Sequence, residues 1–161
     1  MLTFKEGLLS AVAHDLELRV TRFTLEVDDE SRAVQARFEA ASLVVVSAMQ
    51  DGAPRPGLVS ESDRHKIESN AREDVLEVGR YPEIRFASKT VSREGDGYRI
   101  AGELTLHGRS RPVEVTTRRE GDRQVAELRL DQREFGIKPY SAMLGALKIK
   151  PYVTVRLSAP G

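Results

Sequence analysis

The chain has 161 residues, 25 lysines and arginines against 25 aspartates and glutamates, and no cysteine. That length suits one domain, 1–161, with a sizeable core. Zero net charge without a basic block gives no electrostatic case for nucleic acid, and the missing thiols exclude disulfides and thiolate ligands.

Taken in chain order, the opening MLTFKEGLLSAVAHDLEL has no basic start, long apolar run or small-residue cleavage pattern. The expectation is a cytoplasmic chain without an export signal. No stretch reaches the roughly 20 apolar residues of a membrane helix. Period-two alternation then begins. Leu16, Leu18 and Val20 share one parity, Phe23, Leu25 and Val27 the other, so a bulge is expected near Thr21–Arg22. DDES at 28–31 reads as a turn, and 33–47 as a long strand whose phase changes around Ala41–Ser42.

DGAPRPG at 51–57 reads as a loop. Residues 60–78 read as a helix, with Ser60 and Asp63 resembling a capping box and Ile67, Ala71, Val75 and Val78 forming an apolar stripe. Tyr81–Pro82 ends it. In the strands that follow, Ile84, Phe86 and Ser88 alternate with charged partners, as do Tyr98, Ile100, Gly102, Leu104 and Leu106. GDG at 95–97 is a hairpin turn. Gly108 through Pro112 is expected to turn the chain into Val113, Val115 and Thr117. Ala126, Leu128 and Leu130 make another strand, and the last runs from Leu147 to Leu157, with Pro151 expected at a bulge or unpaired position. About eight mostly hairpin-linked strands with one inserted helix predict an antiparallel up-and-down β-barrel, whose interior holds side chains or one small ligand.

Three stretches carry a resemblance. YPEIRFAS at 81–88, GYRIAGELTLHGRSRPVEV at 97–115 and DQREFGI at 131–137 resemble the YceI-like family of lipocalin-like, isoprenoid-binding proteins. The helix at 60–78 falls where that family places its inserted helix, and His14 falls roughly at its early-strand histidine. The resemblance implies a barrel with a helix over it, enclosing an apolar pocket for an isoprenoid, an isoprenoid quinone or a fatty acyl chain. The candidate lining is Phe23, Phe38, Phe86, Gly102, Leu104, Leu106, Phe135, Met143 and Leu144, with Phe86, Leu104, Leu106 and Phe135 inward by parity. Gly102 leaves room on the same wall for a ligand or a sharply coiled strand. PYSAMLGAL at 139–147 would form a lid or a plug.

Polar candidates are few. His14, His65 and His107 share no metal-ligand spacing, so no metal and no cofactor are expected. His107 reads as a turn residue or a pocket-rim group, and His14 as a contact to a ligand headgroup. Arg133 reads as a salt bridge fastening one end of the barrel or as a second headgroup contact. No nucleophile elbow or phosphate loop is present. The expectation is therefore a non-catalytic carrier or storage protein with a long-chain isoprenoid or lipid as its partner, compatible with a homodimer. Two alternatives are a lipid enzyme using a histidine as acid–base, and a barrel filled by its own side chains that binds a protein partner.

Overall fold

The computed structural model describes residues 1–6, 14–142, 144 and 147–160. The chain lays down β1 (Leu2–Glu6), β2 (Asp15–Val20), β3 (Phe23–Val27), β4 (Val34–Glu39), β5 (Leu43–Gln50) and a short β6 (Ala53–Arg55). Helix α1 (Glu61–Asn70) follows, then β7 (Glu83–Glu94), β8 (Gly97–Leu106), β9 (Arg109–Glu120), β10 (Arg123–Asp131), β11 (Ser141–Ala142) and β12 (Leu147–Pro160). The strands pair antiparallel in the order β3-β4-β7-β8-β9-β10-β12-β1-β2-β5-β6, and β11 adds to β12. The fold is mainly β with one helix, as expected. The described residues form twelve strands rather than eight separate ones, and β6 occupies part of the expected 51–57 loop.

The extra strands arise at bends. Between β2 and β3 the chain kinks at Thr21–Arg22; between β4 and β5 a single helical turn spans Ala40–Ser42. Hydrogen bonds continue across both corners: the Thr21 N–H and hydroxyl both donate to the Ser42 carbonyl (3.2 and 3.1 Å), and the Glu39 N–H donates to the Arg22 carbonyl (3.0 Å). The Ser42 hydroxyl oxygen also accepts from the Arg22 N–H at 3.0 Å. These bonds satisfy backbone groups that a bend would otherwise strand. They let the β2–β3 and β4–β5 hairpin arms belong to one sheet at one end and to another at the other.

Two seams are closed by other means. One edge of β5 pairs with β2; the other pairs with β6 over Ala48–Gln50 and meets the helix nearer Leu43. There Glu68, 9% exposed, accepts the Val45 N–H at 2.8 Å, and Arg72 donates through Nε (2.8 Å) and Nη2 to the Leu43 carbonyl. Helix side chains thus stand in for a neighbouring strand and shield the edge. The second seam lies between β9 and β10, which pair only from Glu120–Arg123 to Thr117–Ala126. Beyond that point the turn Gln132–Phe135 packs beside β9 and β12.

The helix is shorter than expected. Ser60 caps it by accepting the Asp63 N–H at 3.1 Å, but after Asn70 the last turn widens, with the Leu76 N–H reaching the Ala71 carbonyl at 3.0 Å. Ile67 and Ala71 pack on one apolar cluster (Leu16, Leu18, Leu43, Val45, Ala48) and Val75 on another (Leu104, Leu106, Leu130, Phe135, Ile137, Val153). Met1 and Leu76 touch both.

The β8–β9 turn is His107–Gly108 alone, so the expected Gly108–Pro112 turn is corrected: Pro112 lies within β9, opposite Glu103. Both turn residues have positive φ, 52° and 70°, the geometry that matches strand twist in two-residue hairpins. Pro151 falls in the bulge where β1 and β12 slip between Thr3–Val153 and Lys5–Ile149. The Gln132 amide donates to the Lys150 and Pro151 carbonyls there, at 3.2 and 3.3 Å.

Candidate ligand-binding site

Paired residues of an antiparallel sheet share a face, so register builds the site directly. Across β3, β4, β7 and β8 run four inward rows. Phe23 lies beside Phe38, and Phe38 beside Ile84. Leu25, Ala36, Phe86 and Leu104 form the next row. Val27 and Val34 come third, with Ser88 continuing the row by accepting the Val34 N–H at 2.8 Å, followed by Gly102 and Val113. A bulge between Ser88 and Thr90 then resets the phase, and Val91, Ile100 and Val115 form the fourth.

This apolar face is closed at one end and open at the other. Leu104, Leu106 and Phe135 are buried, Phe135 to 1% exposure, in the cluster with Leu130, Ile137 and Val153. On the same face Phe23 is 46% and Val27 58% exposed. The Phe23 and Phe38 rings stack with centroids 5.6 Å apart. The result is a trough of aromatic and branched side chains leading from the packed interior to solvent.

The sequence-derived lining divides accordingly. Phe23, Phe38 and Phe86 lie on the trough. Leu104, Leu106 and Phe135 point inward as expected but belong to the close-packed cluster. At Gly102 the room is taken by the protein's own atoms beside the Ser88–Thr90 bulge, in keeping with the strand reading of the two offered for it. A Cβ there would stand 2.7 Å from the Phe86 Cζ and 2.4 Å from the Ala87 carbonyl oxygen. Leu144 is corrected, since it is fully exposed with φ 54°, and Met143 lies outside the described residues.

Two of the polar candidates, Arg133 and His107, are engaged within the protein. His14 is half-buried just before β2, whose neighbours are β1 and β5. Arg133 forms a two-pronged pair with Asp131, Nε to Oδ1 at 2.9 Å and Nη2 to Oδ2 at 2.6 Å, and faces the Tyr152 ring at 5.7 Å. Hydrogen bonding from Arg133 holds the Asp131 carboxyl below the usual carboxylate range. Of the two readings of Arg133, the structure supports the salt bridge. His107 is a turn residue: Nε2 sits 2.6 Å from the Glu77 carboxylate and its ring centre 4.2 Å from that of Tyr81. Tyr81 also covers Gly108, where a Cβ would lie 2.6 Å from the ring. The His-Gly pair therefore ties the helix end to the hairpin.

Sequence reasoning missed Leu25, Val27 and Val34 as lining, although the β3 alternation carried the signal. It missed Val91 because the bulge inverts the parity of Ile84, Phe86 and Ser88. No helix among the described residues is long and apolar enough to cross a membrane.

A YceI-like domain model matches residues 5–160. Among curated proteins, a UPF0312 protein of Yersinia enterocolitica is 32% identical over 62 residues, and one of Yersinia pestis is 34% identical over the same length. Each alignment covers 38% of this chain and only 30% of the relative. Among solved structures, the Campylobacter jejuni YceI protein superposes with a TM-score of 0.56 at 10% identity, covering 91% of this chain and 85% of that one. BcnA of Burkholderia cenocepacia gives 0.54 at 17%, covering 98% and 95%. At these identities the structural likeness speaks to fold alone.

Proposed function

The chain belongs to the YceI-like family, and on that premise we propose that it binds a long apolar molecule, an isoprenoid, isoprenoid quinone or fatty acyl chain, without reacting with it. The observation that carries this reading is the half-open inner face. Phe23 and Val27 share a face with buried Leu104 yet remain 46% and 58% exposed. An apolar surface kept continuous with the core but uncovered suits a chain-like guest. Burial of that guest supplies roughly 25 cal/mol per Å² removed from water, before the cost of ordering it. We also read the ladder as an eight-stranded barrel, in which β2 with β3 and β4 with β5 are two bent strands and β6 and β11 are short additions.

The self-filled alternative contributes one half of this picture. Phe86 over Gly102 and Phe135 in its cluster fill the closed end with the protein's own side chains. The trough, with Phe23 and Val27 uncovered, is the part of this face left to a guest. The alternative of His14 or His107 as acid–base has less support at His107, which is engaged with Glu77 and Tyr81.

The test is displacement of a fluorescent fatty acid or prenol, with circular dichroism confirming the fold. Phe38→Ser is expected to weaken binding about tenfold, the share of one partly buried aromatic. Val27→Asp, on a side chain already largely in solvent, should also weaken it without loss of fold. Outward Glu103→Gln should leave it unchanged. A parent protein that binds no long-chain probe sinks the proposal.

A further inference from the structure

The trough ends at a basic hollow. Beyond the Ser88–Thr90 bulge, Val91 pairs with Ile100 and Arg93 with Tyr98, so Arg93 and Tyr98 continue the inward face to the far end of β7 and β8. The β3–β4 turn brings Arg32 over them: its Nη1 donates to the Tyr98 hydroxyl at 3.1 Å, and its guanidinium lies 5.9 Å from the ring centre. Arg32, Val91, Arg93 and Tyr98 line a hollow of about 220 Å³.

Two arginines converge on this corner. Several others sit in ion pairs, such as Arg99 with Glu94 and Glu114, or Arg118 with Glu120 and Glu127. Among the described residues Arg32 and Arg93 form none; Arg93 Nε reaches only the Gly95 carbonyl, at 3.5 Å. Two carboxylates near them in sequence are engaged otherwise. Both Glu94 oxygens accept from Arg99 at 2.9 and 2.8 Å, and Asp28 Oδ1 accepts from the Ser31 N–H and hydroxyl, both at 2.7 Å. Two guanidinium groups and a phenol close one end of an apolar track. From Val91 to Ile84 that track spans roughly 20 Å of strand.

We propose that this hollow takes the anionic headgroup, carboxylate or phosphate, of a single-chain lipid whose tail lies along the trough. The inference rests on the lipid-binding reading and narrows it to anionic amphiphiles, which guanidinium groups recognise through charge-assisted hydrogen bonds. The Arg32–Tyr98 bond holds the turn over the site before a ligand arrives.

The experiment compares dodecanoate, dodecyl phosphate and dodecanol as displacers of a neutral apolar dye at low ionic strength, with inorganic phosphate as a fourth arm. Both anions should bind about fivefold to tenfold more tightly than the alcohol. Arg32→Gln and Arg93→Gln should each erase most of that preference and leave dodecanol unchanged, while Arg93→Lys retains part of it. Both positions are exposed, so the variants should fold. Equal binding of acid and alcohol by the parent overturns the headgroup site while lipid binding stands. So does an equal loss of all three ligands in the glutamine variants. Displacement of the dodecyl anions by millimolar inorganic phosphate would show a free-anion site instead. If no twelve-carbon compound binds the parent, the lipid-binding reading falls as well.

Discussion

Gly102→Ala separates two roles for one residue. If the glycine keeps the wall open for a ligand, a methyl group should cost binding and little stability. The geometry points elsewhere. The added Cβ would stand 2.4 Å from the Ala87 carbonyl oxygen and 2.7 and 2.8 Å from Cζ and Cε2 of Phe86. The ring can rotate aside; the carbonyl belongs to the paired β7 strand and cannot. Overpacking of this kind costs about 1–3 kcal/mol, offset by about 0.5–1 kcal/mol because alanine suits a strand interior better than glycine. The net loss is about 0–2.5 kcal/mol, which at this chain length lowers the melting temperature by up to about 10 °C. Thermal unfolding of the parent, Gly102→Ala, Phe86→Leu and the double variant forms a cycle. Removing ring atoms relieves two of the three contacts, so the double variant should be more stable than the sum of the singles by at least about 0.5 kcal/mol. A Gly102→Ala protein as stable as the parent but unable to bind lipid would refute the argument and restore the glycine as ligand space.

Two further predictions concern the ties that hold the ends of the fold. Asp131 accepts both the backbone N–H and the guanidinium of Arg133, which lowers its carboxyl below the ordinary value. It therefore contributes stability above the unfolded aspartate pKa of about 3.9, and that contribution is lost as pH falls through the folded value. Asp131→Asn should melt below the parent at pH 7, with the gap narrowing from about pH 4 downward; a constant gap from pH 7 to pH 3 contradicts this account. His107→Ala removes the Glu77 bond and the Tyr81 contact at a position with φ 52°. It should cost about 1–3 kcal/mol in urea unfolding and leave lipid binding intact. Binding lost without a stability change would move His107 to the pocket rim.

Much of the fold was legible because alternation reports which face a residue takes. Phe86, Leu104 and Leu106 point inward on that signal, whereas Phe135, expected inward by the same parity, is buried from the turn Gln132–Phe135 rather than from a strand. The bends were also visible, as the phase changes at Thr21–Arg22 and Ala41–Ser42. Their consequence was not, since only the hydrogen bonds from Thr21, Arg22 and Glu39 show that the ladder continues around both corners. The bulge at Ser88–Thr90 had no such flag. Lys89 and Thr90 simply continue the alternation, outward then inward, and one unpaired position moved Val91, Arg93 and everything between them and the turn to the opposite face.

Periodicity also cannot report cover. Phe23, Val27 and Phe135 read alike in the sequence, as apolar residues expected on an inner wall, yet their exposures are 46%, 58% and 1%. The difference lies in partners distant along the chain. Leu104, Leu130 and Val153 come from three strands to bury Phe135, and no comparable layer reaches the β3–β4 end among the described residues. Polar sites follow the same rule. Arg133 stood out because it belongs to a motif, and it proved to serve its neighbour Asp131. Arg32 and Arg93 stood out for nothing, being two arginines among many. What marks them is their meeting with Tyr98 at the end of an apolar track, a property that exists only once β3, β4, β7 and β8 are side by side.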